Sequence, residues 1–182
     1  MADRSRRYQC RTPTWRPRQA RRFTCSRPRR PTLRFKLRTA MADECVFCEI
    51  LRGDSPATFV YQDDTVVAFM DIQPITHGHI IVAPREHAVL MSDLNETAAM
   101  RTFRVARHMA QTVRDSLGAG GVNLFVADGE IAFQDVPHFH VHVIPRYPND
   151  GFGLTFPRDY TETRSRAELE AIASAIRDAS GQ

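Results

Sequence analysis

The run Pro137-His138-Phe139-His140-Val141-His142-Val143-Ile144 sets an imidazole at every second position. In a strand, alternate side chains share a face. On that reading His138, His140 and His142 project to one side, while Phe139, Val141 and Val143 project into a core. Histidine is the side chain whose ordinary pKa lies near neutrality. Three neighbours repel when all are charged, which favours mixed protonation and lets a neutral nucleophile sit beside a proton donor. Two chemistries follow: a neutral imidazole attacking phosphorus, or His-x-His ligation of zinc or iron. The plain alternative is a solvent-facing or packed run.

A second constellation is Cys45-x-x-Cys48. The N-terminus lacks the apolar segment of a secretory signal. The expected compartment is therefore cytoplasmic, where such a pair suggests metal or redox chemistry before a structural disulfide. No run of eighteen apolar residues is present, so no membrane-spanning helix is expected.

Several elements must position these residues. A helical turn is expected over Cys45–Arg52, stopped by Gly53 and Pro56. Strands are expected at Phe59–Tyr61 and Thr65–Met70, around a Gln62-Asp63-Asp64 turn, and at Gly78–Ala83, ended by Pro84. The clearest helix opens at a capping box, Asp93-x-x-Glu96, and stops at Gly118. Its residues Ala99, Phe103, Ala106, Ala110, Val113 and Leu117 recur at helical spacing and should line the buried face. His108 falls off that stripe and reads as a surface residue. Strands follow at Gly121–Ala127, turned by Asp128-Gly129, and at Val136–Ile144. A last helix covers Arg166–Ala179, with Leu169, Ile172, Ala173 and Ile176 on one face. The order β-β-β-α-β-β-α with short links favours α+β, an antiparallel sheet with helices on one face.

These residues resemble a known family. His138-Phe139-His140-Val141-His142-Val143-Ile144 is similar to the signature of the histidine-triad (HIT) nucleotide hydrolases and transferases. Cys45-Val46-Phe47-Cys48-Glu49-Ile50 resembles the opening of bacterial members. The resemblance continues through Phe69-Met70-Asp71-Ile72, Gly78-His79, Pro84-Arg85-Glu86-His87, Gly121-Val122-Asn123, Asp128-Gly129, Gln134 and Ile144-Pro145-Arg146-Tyr147. It covers roughly residues 43–180.

The resemblance implies a HIT-like five-stranded antiparallel sheet with a long helix and a C-terminal helix. It implies hydrolysis at the α-phosphate of purine nucleoside phosphoramidates or dinucleoside polyphosphates, through a nucleotidyl-histidine intermediate. His140 would be the nucleophile. His142 would contact the phosphate and help the leaving group depart, and Gln134 would bond phosphate or leaving-group oxygens. Asp71 would grip the ribose hydroxyls. Phe47 and Ile72, with Val46, Ile50 and Phe69, would line the base pocket, and Asn123 would lie near phosphate and sugar. Cys45, Cys48, His87 and His138 would hold a structural zinc. His79 matches a position often filled by histidine, for packing or hydrogen bonding near the sheet. A homodimer is implied, with the Asp93–Leu117 helix as an interface candidate. Asp135 in place of Ser or Thr, Phe133 in place of Gly, and Ala127 in place of Asn depart from the pattern. Two other classes compete: a non-hydrolytic metal protein using all three triad histidines, and a nucleotide-sensing or nucleic-acid-binding adaptor.

Charge divides the chain into an arm, 1–40, and a domain, 41–182. The arm holds thirteen arginines and Lys36 against Asp3, a net +13, so the remainder is acidic within a total of +4. The arm is rich in Arg and Pro, and its few apolar residues cannot offset the entropy of ordering. Its arginines with Tyr8, Trp15 and Phe23 suit nucleic acid, and its composition also suits a transit peptide. The plainer reading is that Met41 is the true start, because Met41-Ala42-Asp43 repeats Met1-Ala2-Asp3.

Overall fold

The computed structural model describes residues 42–181; the Arg-rich arm and Met41 lie outside the described residues. Five strands form one antiparallel sheet: β1 (Phe59–Gln62), β2 (Val66–Met70), β3 (Ile80–Pro84), β4 (Gly121–Phe125) and β5 (Val141–Arg146), in spatial order β1-β2-β3-β5-β4. Three α-helices accompany it: α1 (Val46–Arg52), α2 (Glu96–Leu117) and α3 (Arg166–Ser180). The expected α+β class and element order are therefore observed. Among the described residues no helix is long and apolar enough to cross a membrane.

Period-two alternation sorts the strands onto two faces. Val66, Ala68, Ile80, Val82, Val141 and Val143 pack with Val105, Ala106, Met109 and Val113 of α2. Val67, Phe69, Ile81 and Ala83 point the other way and pack with Cys45, Phe47 and Cys48 around α1. The helices do not share one face, which corrects the expectation: one cysteine-bearing turn covers the sheet opposite α2.

The β1–β2 turn is built by Asp63. Its Oδ1 accepts from the backbone N–H of Thr65 at 2.8 Å and of Val66 at 2.7 Å. Its Oδ2 accepts from Nε of Arg101 on α2 at 2.8 Å, and these bonds hold the carboxyl well below its usual pKa, outweighing desolvation.

Three further expectations are corrected. The cap of α2 is Asn95, whose side chain accepts from Ala98 N–H, rather than Asp93. Asp93 instead closes a preceding 3-10 turn by accepting from Leu90 N–H at 2.9 Å. The buried stripe of α2 is Ala98, Thr102, Val105, Ala106, Met109 and Val113, while Phe103 and Leu117 are exposed. Thr102 escaped an apolar count because its hydroxyl is satisfied by the Ala98 carbonyl at 2.8 Å. Finally, the strand expected at Val136–Ile144 begins only at Val141. Pairing with β3 starts at Val82↔Val141. His138 and His140 lie in a loop where His138 N–H donates to Val136 O at 2.8 Å and Phe139 N–H to Ala88 O at 2.6 Å. His108 is exposed on α2, as expected. The last helix forms, yet Leu169, Ile172 and Ile176 stay 49%, 59% and 63% exposed.

Candidate active site and metal cluster

The loop before β5 still brings the three histidines together. His140 is buried, and its Nδ1 donates to the carbonyl of His138 at 2.7 Å. That bond fixes the tautomer, so Nε2 carries the lone pair. The His140 ring meets Phe47 edge-on at 5.2 Å and His142 at 4.7 Å between centroids. His142 lies on β5 opposite Ile81 on β3 and Phe125 on β4. Desolvation lowers the pKa of His140, against the opposing pull of the His138 carbonyl, Asp71 and Asp135. It also pushes His142 down to about 4, helped by His140 and His79.

A fourth histidine joins them. His79 is 1% exposed, and its Nε2 lies 3.0 Å from Nδ1 of His142. Its Nδ1 lies 3.1 Å from Oδ2 of Asp71. Burial lowers its pKa, with Asp71 opposing. Only packing or hydrogen bonding near the sheet was expected of His79. The signal for more was parity: His79 continues the Ile81–Ala83 face of β3, the face that His142 takes on β5. Gly78 stands just before it in a turn packed against α2. It has φ +84°, where a side chain is strained, and a Cβ there would meet Leu117 Cδ1 at 2.4 Å.

Behind the triad, Cys45, Cys48, His87 and His138 offer ligand atoms all within 4.8 Å of one another. His138 Nδ1 lies 3.5 Å from Cys45 Sγ and 3.6 Å from Cys48 Sγ, and Cys48 Sγ lies 3.2 Å from His87 Nδ1. A tetrahedral zinc with its usual sulfur and nitrogen bond lengths sets a sulfur–nitrogen separation of about 3.5 Å, so the residues fit the ion. The tautomer fits too. His138 Nε2 donates to the Pro84 carbonyl at 2.9 Å, leaving Nδ1 as a lone pair on the sulfur side. Burial holds His138 neutral, with a pKa of about 4. His140 belongs to no metal-holding group among the described residues, so the three triad histidines do not converge as one ligand set.

The remaining predicted residues are spread around this centre. Phe47 touches both His138 and His140. Val46 and Ile50 lie on α1, and Phe69 is buried beneath Phe47. Asp71 Oδ1 accepts from Gln73 N–H at 2.8 Å, and Ile72 beside it is 96% exposed. Asn123 is exposed on β4, where its Oδ1 accepts from Arg146 at 2.6 Å. Gln134 is held in its loop: its Oε1 accepts from Gly129 N–H at 2.8 Å and its Nε2 donates to Val89 O at 2.7 Å. Asp135 is exposed and Ala127 is buried. Phe133 adopts φ 67°, the left-handed region that glycine tolerates and L-residues resist.

Residues 52–149 match the HIT domain family model. A HIT family protein from Bacillus anthracis has a crystal structure similar to this one, with TM-score 0.71, 36% identity, and coverage of 76% of this chain and 99% of that one. A zinc-bound histidine triad family protein from Mycobacterium smegmatis is similar with TM-score 0.59 and 37% identity, over 74% of this chain and 99% of its own. An adenylylsulfatase from Arabidopsis thaliana is 30% identical over 62% of this chain and 57% of its own length.

Proposed function

The chain belongs to the HIT family, and from that premise we propose that it is a nucleotide hydrolase acting at the α-phosphate of purine nucleoside phosphoramidates or dinucleoside polyphosphates. One observation carries the reading: the 2.7 Å bond from His140 Nδ1 to the His138 carbonyl, which leaves Nε2 as a buried, neutral nucleophile. A lone pair on a ring whose pKa burial has lowered is available at neutral pH.

In the proposed reaction His140 Nε2 attacks the α-phosphorus as the bond to the leaving group breaks, giving a nucleotidyl-histidine. His142 contacts the phosphate and helps the leaving group depart, an amine taking its proton from solvent water. Water then attacks phosphorus, the P–N pair returns to His140, and the nucleoside monophosphate departs. Asp71 grips the ribose hydroxyls: its carboxylate oxygens keep lone pairs beyond the contact with His79 and the bond from Gln73 N–H. Phe47 and Ile72 flank the base, and Asn123 and Gln134 approach sugar and phosphate. The hydrolase class is supported by the adenylylsulfatase relative.

Cys45, Cys48, His87 and His138 would hold a zinc. When bound, the ion supplies a closed structural cross-link with no open position for substrate. The zinc-bound mycobacterial relative supports this. A homodimer is consistent with Met100, Phe103 and Leu117 exposed on α2 and Leu124 and Phe125 on the edge strand β4.

The test is release of adenosine monophosphate from adenosine 5′-phosphoramidate at neutral pH. Wild type should release it, and His140→Ala should lose release while keeping its fold and zinc. Equal release by both proteins sinks the reading.

A further inference from the structure

Asp135 carries a charge that the proposed reaction leaves without a role. It is exposed, and among the described residues its carboxylate has no hydrogen-bond or ion-pair partner. The chain around it is nevertheless fixed on both sides. Before it, the Gln134 side chain accepts from Gly129 N–H at 2.8 Å and donates to Val89 O at 2.7 Å. After it, His138 N–H donates to Val136 O at 2.8 Å and Phe139 N–H to Ala88 O at 2.6 Å. Ala88 and Val89 are neighbours, so one strip of backbone ties the Asp135 loop to the triad loop. An unpaired carboxylate is thereby held where its charge acts on buried His140.

No basic side chain of β5 offsets it. Alternation places Arg146 on the same side of the strand as His142. An arginine open to that side would suit a chain of phosphates. This one is already engaged: its Nε donates to Asp150 Oδ2 at 2.7 Å and its Nη2 to Asp150 Oδ1 at 2.9 Å. Nη1 donates to Asn123 Oδ1 at 2.6 Å, and Nη2 also reaches the Phe152 carbonyl. The Asp150 carboxylate neutralises the guanidinium where it stands. The carboxylates of Asp71 and Asp135, in contrast, both act on His140.

We propose that Asp135 sets the leaving-group specificity of the site, favouring amines and disfavouring polyphosphates. The inference rests on the hydrolase reading and deepens it, selecting nucleoside phosphoramidates as the substrate class. His140 Nε2 bonds to phosphorus while the group opposite departs roughly in line. When that group is an amine, its nitrogen takes a proton from solvent water, the substrate P–N pair leaves with the nitrogen, and the amine departs. The hydroxide left in solvent is neutralised by the proton that the second-step water releases. The nitrogen gains positive charge as it is protonated, and a nearby carboxylate stabilises that charge. When the group is a nucleoside polyphosphate, the P–O pair leaves on oxygen and negative charge grows instead. The same carboxylate then repels it. An interaction that changes as charge develops acts on the rate, so one side chain moves the two reactions in opposite directions.

The test compares kcat/KM for adenosine 5′-phosphoramidate and diadenosine triphosphate at neutral pH, without added magnesium, which would mask the polyphosphate charge. Wild type should prefer the phosphoramidate. Asp135 makes no bond in the fold, so Asp135→Asn and Asp135→Glu should both fold as wild type. In Asp135→Asn the phosphoramidate should slow about threefold and diadenosine triphosphate should speed up about threefold at low salt, a shift in preference of about tenfold. The shift should shrink as salt screens the exposed charge. Asp135→Glu, which keeps the charge, should keep the wild-type preference. Two rates that fall together in Asp135→Asn would give the residue a purely structural place in its loop and overturn the proposal. Rates that do not move, or a wild type that prefers diadenosine triphosphate, would overturn it as well. A wild type that releases adenosine monophosphate from neither compound would take down the hydrolase reading itself, and the proposal with it.

Discussion

His138 and Cys45 stand 93 positions apart, and Nδ1 of the first lies 3.5 Å from Sγ of the second. The same imidazole donates from Nε2 to the Pro84 carbonyl. The contact joins the N-terminal turn, the end of β3 and the triad loop at one point. The ring two residues before the proposed nucleophile is thus committed to holding the loop in place.

Zinc should therefore stabilise the fold without entering the reaction. Loss of a closed four-ligand site removes binding energy that is folding energy, and each kcal/mol lost lowers Tm by about 2–4 °C for a chain of this size. Metal analysis and calorimetry before and after chelation check this. Cys48→Ala should lose the ion and the same stability, whereas His140→Ala should keep both. Zinc lost from His140→Ala would move the ion to the reaction centre.

Much of this arrangement was legible in the sequence. The Cys-x-x-Cys opening and the alternating histidines marked the two clusters, and apolar alternation marked the strands. The register of the triad was not legible. Period-two spacing implies a shared strand face only where the backbone is paired, and pairing begins at Val141. His138 and His140 converge through a tight turn that periodicity does not encode. The contact between His79 and His142 was hidden for a different reason. His79 and His142 are 63 positions apart and meet only because β3 lies beside β5. The α2 cap misled because Asp93 and Asn95 are both good caps, and the choice depends on the 3-10 turn that Asp93 closes.

Phe133 should tolerate glycine. Its backbone has φ 67° and its ring is 81% exposed, so it holds a strained conformation with little burial in return. The turn is kept by Phe133 N–H to Glu130 O at 3.0 Å and Gln134 N–H to Gly129 O at 3.2 Å. Relief of the left-handed strain is worth about 1–2 kcal/mol, and the looser unfolded chain of a glycine offsets about 0.4–1 kcal/mol. Phe133→Gly should thus unfold in urea within about 1 kcal/mol of wild type, on the stable side. Phe133→Val, β-branched at the same φ, should lose about 1 kcal/mol or more. A glycine variant less stable than the valine one would show that the exposed ring carries the loop.

Asp135 bears on the acid limb of activity. The proposed nucleophile must be neutral, so kcat/KM falls as His140 takes a proton, and this limb reports the free protein. Burial sets the His140 pKa below the ordinary histidine value, which places the limb on the acid side of 6.5. Asp135 works against burial, because its negative charge favours the imidazolium. Removing that charge with Asp135→Asn removes a raising influence, so the limb should move to still lower pH. The carboxylate is exposed, so the movement should be largest at low ionic strength and shrink as salt screens it. The profiles should be recorded with adenosine 5′-phosphoramidate at two salt concentrations. A limb that moves towards neutrality in the variant would mean that Asp135 reaches His140 by some route other than its charge, such as holding the Gln134 loop against the triad.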